Sequence, residues 1–181
     1  HTVSFGADEA LERATVVIVC TPAVNQNKET NNDSVQGPRG FLAQGSEFLF
    51  GKPFAHGIND EVLDPSEDRF VQIVSCNTHN IATLLKTLCE NGGEYNLDQS
   101  NFVCIRRAND VSQTSSFLPS PQVGCHDDEE FGTHHARDAH HLFSTLDRDL
   151  DIFSSSLKVN SQYMHSIWFR ITAIAGFTHE Q

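Results

Sequence analysis

The sequence predicts an α/β fold in its first part followed by an α+β fold. Three observations carry that expectation. Thr15 to Val19 is an unbroken β-branched run, and Val71, Ile73 and Val74 read as a buried strand that leads into Ile81, Leu84, Leu85 and Leu88 at helical spacing. Strand-like runs then return at 101–106, 150–159 and 163–173. A helix followed by parallel-type strands, then mixed strands, is the pattern of α/β leading into α+β. With 181 residues the chain has room for one good core or two small ones.

Taken in order, Ala7 to Arg13 reads as a short helix with Asp8 and Glu9 in its first turn. Thr15 to Val19 carries no polar alternation, the signature of a strand buried on both faces, and Cys20-Thr21-Pro22 ends it. Residues 25–40 are polar and rich in Asn, Gln and Gly, which predicts a long loop or a weak helix. Phe41 to Phe50 restores apolar content around Gln44-Gly45-Ser46-Glu47. A linker with Pro65 and several acids leads to the strand at 70–74. Asn77 and Thr78 are natural N-cap residues for the helix that follows, and Gly92-Gly93 is a natural stop. Asn101 to Arg106 is a strand by β-branched content, and 109–133 is loop-like, with Pro119, Pro121 and a Ser/Thr cluster. No internal repeat is present.

Composition narrows the function. Twelve Lys and Arg against 24 Asp and Glu give a net charge of −12, which argues against a nucleic-acid partner. That acidity aids solubility or suits a salty cytosol. No apolar run is long enough to span a membrane. The five cysteines, Cys20, Cys76, Cys89, Cys104 and Cys125, are odd in number and lack C-x-x-C spacing, so thiols in a reducing compartment fit better than a disulfide framework. The chain opens on His1, and only ten residues follow Ile171 in the last strand. Both ends suggest a fragment of a longer protein.

Four features bear on chemistry. Val74-Ser75-Cys76-Asn77-Thr78-His79-Asn80 sets a cysteine between an apolar strand and a helix start. The positive end of a helix favours a thiolate, so Cys76 is either a nucleophile or a small buried hydrophobe at a strand end. Arg106-Arg107 closes a strand, where neighbours point to opposite faces, so at most one enters a pocket. That one is an anion anchor, or the pair is a solvated strand end. Four of the ten histidines lie within residues 134–141, just after Asp127, Asp128, Glu129 and Glu130. This cluster of His134, His135, His140 and His141 suits a divalent metal or a plain surface, and no H-x-x-x-H pair with a defined third ligand stands out. Finally, His165 shares a strand face with Ile167, Phe169 and Ile171, mostly a core face. It gains chemical interest only if that strand runs beside Cys76, because a thiol nucleophile needs a base or a cationic partner.

The order of these motifs resembles the archaeal-type (type II) glyceraldehyde-3-phosphate dehydrogenases. Ser75-Cys76-Asn77-Thr78 is followed by Arg106-Arg107, by Thr133-His134-His135 with Asp138, and by Met164-His165 on a strand. Upstream, Val16-Val17-Ile18-Val19-Cys20-Thr21-Pro22 is similar to the family's last nucleotide-domain strands, and Gln44-Gly45-Ser46-Glu47 to its Q-G-G-E turn. The resemblance implies the latter part of a Rossmann-type nucleotide domain over 1–72 and a mixed or antiparallel-sheet catalytic domain over 73–181, truncated. It implies that Cys76 attacks the aldehyde of glyceraldehyde 3-phosphate, with His165 as the catalytic histidine. Ser75, Asn77, Thr78, His134, His135 and Arg106 become substrate contacts, and Gly45 and Arg107 cofactor contacts. NAD or NADP is the implied cofactor, with no metal ligand set. A small phosphorylated aldehyde and inorganic phosphate are the implied partners, with no nucleic acid or membrane. A cytoplasmic homo-oligomer is implied for the full-length protein.

The chain departs from that pattern in places. His79-Asn80 stands where the family commonly has Thr-Gly, Ala136-Arg137 where it has Gly-Pro, and Ser46 where it has a second Gly. The loop over 108–132 is longer than usual, and no G-x-G-x-x-G dinucleotide fingerprint occurs, so the chain as given is expected to bind NAD(P) poorly and to be an inactive fragment. The bacterial and eukaryotic branch, with S-C-T-T-N and a histidine much nearer the cysteine, fits poorly. Two other readings stay open: a semialdehyde or acyl-phosphate dehydrogenase of the same chemistry, and a non-catalytic module whose 126–141 segment holds a metal or a partner.

Overall fold

The computed structural model describes residues 6–20, 34–45, 47–109, 117–161 and 165–174. Most of the polar stretch expected to be a loop, together with Thr21, Pro22, Ser46 and Met164 of the motifs above, lies outside them. The chain forms two compact units, the first ending at Cys76 and the second beginning at Asn77. Its secondary structure is mixed α/β, with one parallel sheet and one mixed sheet.

In the first unit α1 (Ala7–Arg13) precedes β1 (Val16–Val19), β2 (Gly40–Gln44), β3 (Lys52–Phe54) and β4 (Phe70–Ile73); α1, β1 and β4 fall where the sequence predicts them, whereas β2 and β3 are strands that it did not announce. The sheet order is β1-β2-β4-β3 and every pairing is parallel. Its core is Phe41, Ala43 and Phe50, with Val17, Val19, Val35 and Phe70 packed against them. The Phe41 and Phe70 rings stack at 5.1 Å, and the Arg69 guanidinium lies over both. Buried Asn59 fixes the loop after β3: its Nδ2 donates to the Pro53 carbonyl at 3.0 Å and its Oδ1 accepts from the Ala55 N–H at 3.0 Å. The β1 run is not buried on both faces as expected. Val16 and Ile18 are 49% and 65% exposed. Among the described residues β1 pairs along one edge only, so its inward residues Val17 and Val19 meet the core while the alternate side chains face out.

The second unit opens with nearly the whole of α2 (Cys76–Cys89). Ile81, Ala82, Leu85 and Cys89 make its buried stripe, while Leu88 remains 39% exposed. Two expectations at its ends are corrected. The helix begins at Cys76, so Ser75 holds the N-cap position, and Asn77 and Thr78 lie inside the first turn, buried. Gly92-Gly93 does not stop the helix either. It forms the two-residue turn of a hairpin, β5 (Glu90–Asn91) with β6 (Glu94–Tyr95), and both glycines have positive φ, the type I′ requirement.

The mixed sheet has the order β10 (His165–Thr172), β7 (Gln99–Arg107), β9 (Ile152–Val159), β8 (Gln122–Val123). β7 runs parallel to β9 and antiparallel to β10. Phe102 and Cys104 of β7 and Ile152 and Ser154 of β9 are buried on one face. The histidine-rich segment, which sequence left as a cluster without assigned structure, is a helix, α3 (His134–Ser144).

Four polar contacts anchor the start of α3. Thr133 is its N-cap, accepting from the His135 N–H at 3.4 Å, and shares a 2.6 Å hydroxyl hydrogen bond with Ser154 of β9. Ser154 Oγ also accepts from the Ala136 N–H at 3.1 Å, and the Ser154 N–H donates to the Phe131 carbonyl at 3.0 Å. Gly132, with φ +75°, makes this approach possible, because a Cβ there would collide with the Ser154 carbonyl oxygen and the Phe153 ring. Gly132→Ala is therefore expected to destabilise the protein by about 2 kcal/mol, through left-handed strain and lost contact together. Urea unfolding checks this, and an unchanged midpoint would show that the strap before α3 is free to shift.

Candidate functional site

The parallel strands of the first unit end together at Val19, Gln44 and Ile73, and a cavity of about 360 Å³ opens at that carboxyl edge. Open parallel sheets bind ligands at this edge. Cys20, Gln44, Gly45, Val74, Ser75 and Cys76 line the cavity, and Cys76 is exposed there. Cys76 is thus not a buried strand-end hydrophobe. Gly45 is held from both sides: its N–H donates to the Ile73 carbonyl at 2.9 Å, and its carbonyl accepts from Nε2 of buried Gln72 at 3.3 Å. The space beside its Cα is open, since an added Cβ would meet nothing within 4 Å. Sequence reading missed Cys20 and Gln44 as lining residues. The available signal was that each directly follows or ends a strand of one parallel sheet.

In the second unit the side chains of α2, α3, β7 and β10 converge. Asn77 Nδ2 donates to His135 Nε2 at 3.3 Å, and Thr78 Oγ1 donates to the His135 carbonyl at 3.5 Å. The His134 and His135 rings lie 4.0 Å apart. Burial, with His134, Arg106 and His165 nearby, pushes the pKa of His135 down to about 3. His135 is therefore neutral near pH 7. With Nε2 accepting from Asn77, its proton sits on Nδ1, a buried donor with no acceptor among the described residues. Asn77 Oδ1 is likewise buried without a donor.

Arg106 and His165 are register partners across β7 and β10. Burial first, then Arg106 and Arg107, lowers the pKa of His165. Arg106 also depresses both His134 and His135. Arg106 is thus the member of the doublet turned toward the histidines. The expected core face of His165 is only half-buried, because β10 is the edge strand and Phe169 is 38% exposed. The histidine-rich segment does not gather as one ligand set. His134 and His135 join Asn77 and Arg106, while His140 bonds the Leu150 carbonyl at 3.3 Å and sets its ring at a tilt against Phe131, centroids 4.9 Å apart. His134 and His141 are two turns apart, about 10 Å along the axis. Among the described residues no three His, Cys, Asp or Glu side chains are grouped to hold a metal ion. No helix among them is long and apolar enough to cross a membrane.

Fold and site together define a mixed α/β protein with an exposed cysteine at the carboxyl edge of a parallel sheet and a separate His/Arg/Asn cluster. No family model matches the chain. Its curated relatives are dehydrogenases. The chain is 29% identical to glyceraldehyde-3-phosphate dehydrogenase of two strains of Halobacterium salinarum over 169 residues, covering 88% of this chain and 45% of the relative. It is 31% identical to glyceraldehyde-3-phosphate dehydrogenase of Haloarcula marismortui over 106 residues, 56% of this chain and 26% of the relative. The chain thus spans less than half the length of the curated relatives it matches, and the similarity to the glyceraldehyde-3-phosphate dehydrogenases is distant.

His135 makes stability depend on pH in a defined direction. The unfolded ring takes a proton below pH 6.5, but the folded ring does not until about pH 3. The unfolded state therefore gains protons first, and stability is lost as pH falls through that window, by up to about 1.4 kcal/mol per pH unit. His135→Gln should lose less stability than the wild type between pH 7 and 5 in urea titrations. Parallel curves would mean that His135 is not held neutral by the fold.

Proposed function

We propose that the protein oxidises glyceraldehyde 3-phosphate to an acyl phosphate, and that this chain carries its nucleophile and substrate contacts. The observation that carries the reading is Cys76, exposed beside Gly45 in the cavity at the carboxyl edge of the parallel sheet. The distant similarity to glyceraldehyde-3-phosphate dehydrogenases supports it. In this reading residues 1–72 belong to a Rossmann-type nucleotide domain and 73–181 to the catalytic domain of a cytoplasmic homo-oligomer.

The Cys76 thiolate adds to the aldehyde carbon, giving a thiohemiacetal, and then bears the acyl group as a thioester. An oxygen of inorganic phosphate then attacks the thioester carbon, the C–S bond breaks, and the acyl phosphate departs while the sulfur leaves as thiolate. NAD or NADP, when bound, supplies the hydride acceptor. Gly45 and Arg107 are the residues that would hold it. His165 takes the proton that the thiol gives up and returns one as the sulfur is regenerated. Ser75, Asn77 and Thr78 orient the reacting carbon. Arg106 and His134 offer positive charge to phosphate, and the unspent Nδ1–H of His135 offers a donor to a phosphate or aldehyde oxygen.

In the full-length protein, Cys76→Ser is expected to abolish turnover with the fold intact. A serine variant retaining more than a few per cent of the rate would sink the nucleophile assignment. His165→Asn should slow alkylation of Cys76 near neutral pH. An unchanged rate-against-pH profile would reduce His165 to a half-buried structural residue.

A further inference from the structure

α3 presents His134, Arg137, Asp138 and His141 at the i, i+3, i+4, i+7 spacing of one helix stripe. Asp138 is the anomaly in that stripe, because only 1% of it is exposed. Arg137 satisfies one oxygen, donating to Oδ1 from Nε at 3.2 Å and from Nη2 at 3.0 Å. The other oxygen, Oδ2, is buried with no partner among the described residues. A buried carboxylate with half its acceptor capacity empty is costly, and packing alone does not justify it, since an apolar side chain of that size would avoid the cost.

Side chains on a helix lean toward its N-terminus and stack on the residue four positions back. The carboxylate of Asp138 is thereby carried over the turn that bears His134. We infer that Asp138 is a positioning residue for His134, its Oδ2 accepting the N–H that the imidazole gains when an anion of phosphate chemistry enters the histidine–arginine cluster. The inference rests on the reading of His134 as an anion contact.

The groups around His134 divide by sign. Burial, Arg137 on the same helix and Arg106 on β7 hold its pKa down, and the His135 ring lies 4.0 Å away. Asp138, and Asp127 from the loop before α3, push it up. Burial raises the pKa of Asp138 overall, and Arg137, then His134 and His141, pull it back in part. A phosphate dianion arriving beside His134 adds negative charge to the weaker side of this balance. The ring then takes one proton from solvent, forming one N–H bond and breaking none in the ligand. Asp138 supplies the acceptor that keeps the charged ring in place.

Proton NMR titration of His134, assigned with His134→Gln, tests this in the wild-type chain and in Asp138→Asn, which keeps the shape. The probes are inorganic phosphate and glycerol 3-phosphate. In the wild type either anion is expected to raise the titration midpoint of His134. In Asp138→Asn the midpoint should fall by roughly half a unit to one unit with or without anion. Anion affinity at pH 6 should fall by about three- to tenfold with it. An identical His134 titration in the two proteins would overturn the proposal, whereas a merely structural role would move the melting temperature and leave that titration alone. If Asp138→Asn lowers the midpoint but neither anion moves it in the wild type, Asp138 still acts on His134 and the anion reading falls. A response to glycerol 3-phosphate alone assigns the site to the substrate ester, and a response to both assigns it to phosphate chemistry in general. The reciprocal variant, His134→Asn, should raise the titration of the Asp138 carboxyl followed by carbon-13 NMR. An unmoved carboxyl there would also overturn the proposal.

Discussion

One hydroxyl group holds the second unit's chemistry in place. Ser154 is fully buried on β9 and bonds at once to the Thr133 hydroxyl and to the Ala136 N–H. A helix start leaves several N–H groups without partners, and here side chains from the sheet and the cap supply them. Register follows from that connection. Because α3 is fixed at its first turn, His134, His135 and Asp138 each have a defined direction, and Arg106 and His165 are set by the pairing of β7 and β10. The cluster is thus built on regular elements rather than on loops, which favours a precise geometry.

The electrostatics of the cluster have a common theme. Desolvation is the leading cause of each histidine shift in it, and arginine charge adds to the effect. The resting site therefore consists of histidines biased toward the neutral form beside a permanent guanidinium. Such a site keeps its donors available and lets an arriving anion decide where further positive charge appears. Burial makes Asp138 resist that logic, and the neighbouring Arg137 partly offsets the cost.

Much of this was legible in the chain. The runs at 15–19, 70–74 and 101–106 announced strands through their β-branched and other apolar residues, and the Ile81–Leu88 repeat announced a helix. The order of Ser75-Cys76-Asn77, Arg106-Arg107, His134-His135 and His165 resembled the archaeal-type glyceraldehyde-3-phosphate dehydrogenases, and the chain is distantly similar to proteins named glyceraldehyde-3-phosphate dehydrogenase. Other features could not be read. Periodicity does not say which strand lies at an edge, so the exposure of Val16, Ile18 and the His165 face escaped notice. Helix-start preferences placed the cap at Asn77 or Thr78, but those side chains serve His135, and the helix starts earlier. Gly-Gly signals a chain reversal in a hairpin as readily as a helix stop, and only the pairing of Asn91 with Glu94 decides between them. The four histidines left a metal site and a plain surface both open, because sequence shows only proximity along the chain, whereas α3 spreads them over two turns.

The distribution of aromatic residues gives the two units different optical identities. The single tryptophan, Trp168, is 57% exposed on β10, and both tyrosines, Tyr95 and Tyr163, also fall after residue 76. The first unit holds its core together with phenylalanine alone among the aromatics. Its melting is therefore dark to tryptophan emission, and far-ultraviolet dichroism registers it instead. Any lag between those two signals measures how tightly the folding of one unit is coupled to that of the other.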